Sequence, residues 1–436
     1  MSRINVFTVV VASLAGLLFG FDTAVISGVT TALRTVFHLS DAGLGLTVSI
    51  ALIGTCVGAL AAGLVGNRLG GRDTLKLVGL LFSVASIGCA FAPTVYIFGF
   101  SRLVLGLAVG AASVLAPVYI SEIVPARRRG FMVGLFQFNI VFGILLAYLS
   151  NYVVGQLVGG DAEWRWKVGV AAFPSLFFFV MLFFIPQSAR WLASRGRSAE
   201  AEESLKRVGA TETLADITAP EEGHGRLSWR LHRKPIVFAM LLAFFNQFTG
   251  INAILYYLND IFAAAGFGKV SGDLQAVAVG LANLLATMVG MTFIDRLGRK
   301  TLLVSGAFVM SIALGCVAFV MGTGHGTGYL LVLLVLFILA FAFSQGAVIW
   351  VYLSEIFPNS VRATGQSMGS ATHWIINFAI TLLFPIVAAH SRGLPFVVFA
   401  AVTLAQVFVV ARFFPETKGA TLEDLAGSFR SHQEPA

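Results

Sequence analysis

The chain has 436 residues, of which 57% are hydrophobic and only 11% charged, whereas soluble domains carry about 25% charged residues. That balance excludes a water-soluble globular enzyme. A net charge of +8 does not point to nucleic acid either, because basic residues on a polytopic membrane protein report its orientation.

Residues 4–33 form a first apolar span interrupted by Asp22 alone. It is longer than the hydrophobic region of a signal peptide and lacks a convincing small-residue cleavage site, so it is expected to stay in the protein. Charge-free stretches follow at 42–67, 77–101, 103–121, 130–160 and 168–189, then at 235–259, 274–294, 301–354, 363–391 and 393–411. A helix needs about 20 apolar residues to cross a bilayer. The stretch 301–354 is two spans long, broken at Gly322, Gly324, Gly326 and Gly328, which brings the count to twelve. Only short loops and one hydrophilic segment remain, so no extramembrane catalytic domain fits. Cys56, Cys89 and Cys316 all lie in apolar spans without CxxC spacing, so neither a disulfide nor a metal site is expected.

The basic residues sort by side. Alternate loops collect 23 Lys and Arg on one face and 5 on the other, with Arg102 left inside a span. By the positive-inside bias both termini are expected in the cytoplasm.

An internal repeat is also legible. Gly66-Asn67-Arg68-Leu69-Gly70-Gly71-Arg72 recurs as Ile294-Asp295-Arg296-Leu297-Gly298-Arg299-Lys300, and Ser121-Glu122-Ile123-Val124-Pro125 recurs as Ser354-Glu355-Ile356-Phe357-Pro358. Pro186-Gln187-Ser188 aligns loosely with Pro415-Glu416-Thr417 at nearly the same offset. Six spans per half is an even number, so the two copies enter the membrane in the same sense, as parallel repeats. The expected fold is all-α and polytopic, with twelve transmembrane helices in two six-helix bundles. The expected boundaries are 1–186, a cytoplasmic linker with short helices at 187–234, a second bundle at 235–414 and a tail at 415–436. Such an architecture predicts a substrate site near the midplane between the bundles.

Those loop motifs, with Pro186-Gln187-Ser188-Ala189-Arg190-Trp191 and Pro415-Glu416-Thr417-Lys418-Gly419, resemble the sugar porter family of the major facilitator superfamily. The resemblance runs from about residue 5 to residue 425. It departs from the family pattern at Gly71, where Arg is usual, and at Gln187, where Glu is usual.

Ionisable residues inside spans are costly and are functional candidates by default. Two sit well inside, Asp22 and Arg102, and together they can form a charge-assisted bidentate pair. The pair is either a permanent structural one or a proton relay in which the Asp22 carboxyl exchanges its proton with water. Gly20-Phe21-Asp22 resembles the proton-symporter form of the family, while the counterpart Gly250-Ile251-Asn252 is neutral. Amides suit the vicinal hydroxyls of a sugar, and aromatic faces suit its C–H face. The resemblance matches Phe19, Gln137, Asn246, Gln247, Asn252, Asn283 and Trp350 to sugar-contacting positions, with His373, Trp374 and Asn377 as the remaining wall. A break near Gly250 is expected to let the amides of the seventh span converge; buried amides could equally join helices to one another. Tyr256 and Tyr257 resemble the family's aromatic gate, the alternative being an interfacial aromatic belt. Ala347 stands where proline is usual, which leaves the hinge of the tenth span open.

On the cytoplasmic side, Glu122 and Arg129 are seven residues apart, as are Glu355 and Arg362. With Arg68, Arg72, Arg296, Arg299 and Glu416 they are expected to form a latch, pairing across the bundles; the alternative is that these charges only orient the protein and solvate its loops. The function expected is symport of a monosaccharide, hexose or pentose, with inward proton flow by alternating access, in the plasma membrane and as a monomer. Besides membrane lipid no other partner is expected, and the coupling ion is the proton, without a cofactor or metal. A facilitative or exporting carrier of a sugar or polyol is the alternative within transport. A sugar-sensing receptor is the alternative from another class, disfavoured because only residues 415–436 follow the last span.

Overall fold

The structure is a computed structural model that describes residues 3–124, 129–209, 213–214, 227–357 and 361–418. Every regular element among these is helical. The chain divides into two compact units, Met1–Glu221 and Glu222–Ala436, and the division falls inside the segment read as a linker. Among the described residues, eleven helices are long and apolar enough to cross a membrane.

Numbering the elements that correspond to spans, the first unit contains α1 (Arg3–Val25), α2 (Asp41–Leu69), α3 (Gly71–Ala90), α4 (Val95–Ile123) and α5 (Arg129–Leu157). Its sixth span, α6, is broken into Glu163–Gly169 and Ala172–Met181. The break has a local cause: Pro174 lacks an N–H and its ring clashes with the carbonyl four residues back, so proline is tolerated only in the first turn of the second piece. Short helices Ala189–Ser194 and Ser198–Val208 follow. Side chains at N-caps start two of the long helices, Ser40 accepting from the Gly43 N–H and Thr94 from the Ile97 N–H.

In lipid, apolar surface gives helices little reason to associate, and close backbone approach over small residues replaces it. A Cβ built on Gly106 of α4 would stand 1.8 Å from the Ala51 carbonyl oxygen of α2, and one on Gly20 of α1 would stand 1.8 Å from that of Ile140 on α5. Gly106→Ala is therefore expected to push α2 and α4 apart, costing about 1–3 kcal/mol. A fall in the thermal-unfolding midpoint of the purified protein checks this, and an unchanged midpoint would contradict the packing.

The second unit contains α7, which begins at Trp229 rather than residue 235 and includes the kink at His232 before Pro235. It runs to Phe248 and resumes as Ile251–Tyr256 and Leu258–Ala264. The break falls at Gly250, whose φ of +80° favours glycine. Then come α8 (Lys269–Leu297), α9 (Arg299–Thr323), α10 in two pieces (Leu330–Phe343 and Gln345–Glu355), α11 (Arg362–His390) and α12 (Leu394–Phe413). The interruption of α10 lies at Ser344 (φ −112°, ψ −85°), so this span bends without the usual proline. Ser344 donates its hydroxyl to the Ala340 carbonyl at 2.6 Å, a back-bond that bends helices.

The repeat is visible as matching backbone. Gly70 between α2 and α3 has φ 85° and ψ 158°, and Gly298 between α8 and α9 has φ 89° and ψ 155°. The Tyr119 hydroxyl donates to the Pro186 carbonyl, as the Tyr352 hydroxyl does to that of Pro415.

Candidate functional site

In the first unit, α1 and α4 bring Asp22 and Arg102 together. Both are buried, 8% and 4% exposed. Arg102 donates from Nη1 to Asp22 Oδ1, while its Nε is buried with no hydrogen-bond partner. The expected bidentate arrangement is absent from this contact, so the pair is joined at one point and leaves a donor unused. Phe19 on α1 and Gln137 on α5 are half-buried in the same unit.

In the second unit, the break of α7 draws its amides into one hydrogen-bonded chain. Asn252 donates to Gln247 Oε1 at 3.0 Å, Gln247 to Asn246 Oδ1 at 3.1 Å, and Asn246 to Gln345 Oε1 at 3.2 Å. Gln345 in turn donates to Gln406 Oε1 at 2.6 Å. Gln247 Nε2 also lies 3.0 and 3.1 Å from the two ring nitrogens of His373. The His373 ring is 5.2 Å from that of Trp350 and 5.0 Å from that of Trp374. Trp350 is 40% exposed, whereas His373 and Trp374 are buried. The candidates Asn246, Gln247, Asn252, His373, Trp350 and Trp374 thus share one neighbourhood. Asn283 is buried on α8, and Asn377 on α11 accepts from Thr381 at 3.1 Å.

Tyr256 and Tyr257 are 5% and 1% exposed. Tyr257 donates to the Thr381 carbonyl at 3.0 Å and stacks on Phe384 at 5.2 Å. Within its own unit it is an interior residue, not one of an exposed belt.

At the ends of the helices, four of the charges read as a latch, Arg72, Arg299, Glu355 and Glu416, have partners within their own unit. Arg299 pairs with Glu355 through two bonds of 3.1 and 2.8 Å, and Thr417 donates to Glu355 at 2.6 Å. Glu416 accepts from the backbone N–H groups of Arg299 and Lys300 at the N-terminus of α9, where the helix dipole favours a negative charge. In the first unit, Gln187 takes the matching place, accepting from the Arg72 N–H at 3.1 Å. Arg72 pairs with Asp73 at 2.9 Å. Gly71 stands where the second unit has Arg299. Arg68 and Arg296 are exposed; the side chains of Arg129 and Arg362 lie outside the described residues.

Burial opposes ionisation of Glu416, but the N–H groups of Lys418, Arg299, Lys300 and Thr417 outweigh it and hold the carboxyl below the ordinary carboxylate range. A lowered folded-state value means stability that is fully present above the unfolded value and lost as pH falls through the folded one. Glu416→Gln is expected to cost about 0.3–1 kcal/mol at neutral pH, toward the lower figure because the group is part-exposed and screened. The difference from wild type should shrink on acidification, which unfolding at several pH values checks; a gap constant with pH would contradict the cap.

Sequence reasoning missed three groups. Gln345 and Gln406 are fully buried members of the amide chain, and their signal was an amide inside a charge-free stretch. Lys167, counted among outer-loop charges, is 1% exposed and pairs with Glu163 at 3.0 Å. It also donates to the Gly28 carbonyl beyond α1 at 3.2 Å. A spacing of four on one helix was the available sign.

A family model described as "Sugar (and other) transporter" matches residues 8–429. The glucose transport protein of Synechocystis sp. is 37% identical over 446 residues, covering 95% of each chain. The D-xylose-proton symporter of Escherichia coli is 36% identical over 465 residues, 95% of this chain and 94% of that protein. The solved inward open conformation of the xylose transporter XylE from E. coli matches with a TM-score of 0.86 at 33% identity, over 96% of this chain and 98% of that one.

Proposed function

The chain belongs to the sugar porter family of the major facilitator superfamily, whose members are membrane transporters and not enzymes, and we propose that it takes up a monosaccharide together with a proton. Relatives bearing the names of a glucose transport protein and a D-xylose-proton symporter support a hexose or pentose as substrate. The 23 to 5 basic split supports a plasma-membrane orientation with both termini in the cytoplasm.

The observation that carries proton coupling is the buried, single-point contact of Asp22 with Arg102. A permanent structural pair gains most when both guanidinium edges are engaged and every remaining donor is satisfied. Arg102 Nε is unsatisfied, an arrangement suited to a partner that changes during a cycle. In this account the loaded carrier reorients when Asp22 is protonated, and the empty carrier returns once the proton is released inside. The sugar meets the amide head at Asn252 and Gln247 and the face of Trp350, and no bond of the substrate is made or broken. The second reading is a facilitator, in which Asp22 and Arg102 stay a permanent structural pair; what favours it is that the two already form a salt bridge.

Uptake of a panel of labelled hexoses, pentoses and polyols into proteoliposomes, with and without an imposed proton gradient, tests the proposal. Accumulation of a monosaccharide only with acid outside is the expected result. Equilibration without accumulation under either condition would make the protein a facilitator.

A further inference from the structure

We propose that Gln345 and Gln406, two glutamines outside the sugar-contacting set, are positioning residues that fix which way the sugar-site amides face. The inference rests on the reading of Asn252 and Gln247 as sugar contacts and names how that site chooses among hydroxyl groups.

A primary amide donates from one end and accepts at the other. Amides joined N–H to oxygen in a row must therefore all point the same way, and reversing one breaks the bonds on either side of it. In this protein every member, from Asn252 through Gln247, Asn246 and Gln345, donates toward Gln406. Gln406 supplies the oxygen that ends the row. It is 0% exposed, as is Gln345, so neither can turn to water for a replacement. Gln406 Nε2 is buried without a hydrogen-bond partner. The far end of the row is thus held by one acceptor and nothing else.

The direction has a chemical consequence at the sugar end. Gln247 directs its two N–H groups at Asn246 and His373, and Asn252 gives one of its two to Gln247. What this set then offers a ligand is chiefly oxygen: the Oδ1 of Asn252 and the second lone pair of Gln247 Oε1. A hydroxyl that docks on either oxygen must donate, whatever the second N–H of Asn252 adds. Fluorine accepts weakly and cannot donate, so replacing that hydroxyl by fluorine should lower affinity about ten-fold or more.

Binding of D-glucose, D-xylose and the D-glucose analogues carrying fluorine in place of one hydroxyl at a time tests the inference, using the purified full-length protein. Wild type should reject fluorine at one ring position. Gln406→Leu removes the terminal acceptor, frees Gln345 to rotate, and should reduce that rejection to within about three-fold of the parent sugar. Gln406→Glu still accepts from Gln345 and should keep the rejection. Gln345→Leu should behave as Gln406→Leu, which guards against one variant failing to fold. Loss of affinity by the same factor for every analogue, or retained discrimination in both leucine variants, would overturn the inference and leave the sugar site standing. Failure of wild type to bind either parent sugar would overturn the underlying reading, and this inference with it.

Discussion

Asp22→Asn is expected to abolish accumulation of sugar against a gradient while leaving sugar exchange across the membrane intact. The asparagine has the shape of the protonated acid but cannot give up a proton, so the carrier is held in the state that reorients loaded. A charged side chain at the centre of a bilayer costs about 2.5–3.5 kcal/mol on insertion scales, and Asp22 is one of the few the spans contain. Replacing it by a neutral amide also leaves Arg102 with a weaker acceptor. Counterflow measured beside gradient-driven uptake in the same proteoliposomes separates the two activities. Gradient-dependent concentration of sugar by Asp22→Asn would show the Asp22–Arg102 pair to be structural.

Gln247→Ala is expected to weaken sugar binding by roughly 5- to 150-fold, the equivalent of about 1–3 kcal/mol for an unpaired buried polar group. The reason lies in its place at the centre of the amide chain. Gln247 accepts from Asn252 and donates to Asn246, with His373 beside the same nitrogen. Truncation therefore removes a proposed sugar contact and unpins its neighbours on both sides. Trp350→Ala should lose affinity through a different route, the loss of an exposed aromatic face beside His373. Unchanged binding in both variants would move the sugar site away from this cluster.

The sequence announced the spans because charge is so expensive in hydrocarbon that its absence marks them. It also announced the repeat, since loop residues such as Gly70 and Gly298 answer to one backbone requirement twice over. The sixth span was legible as apolar length but not as a broken helix, because the break depends on Pro174 acting on its own preceding turn. The tenth was uncertain in the opposite way: Ala347 removed the usual hinge residue, and a serine back-bond supplied the bend instead. Asn246, Gln247 and Asn252 could be named from their motif. Gln345 and Gln406 could not, because they are far apart in sequence and only the packing of α10 and α12 against α7 makes them one chain. Lys167 was hidden for a similar reason. A lysine near a loop reads as solvated until Glu163 and the Gly28 carbonyl are seen to surround its amine.

The claim that protons move with sugar is tested most directly by recording pH in a lightly buffered suspension of proteoliposomes, without an imposed gradient, when sugar is added outside. The expected result is a rise in external pH that follows sugar entry, saturates with sugar concentration and disappears in Asp22→Asn. Sugar entry with no change in external pH would contradict it.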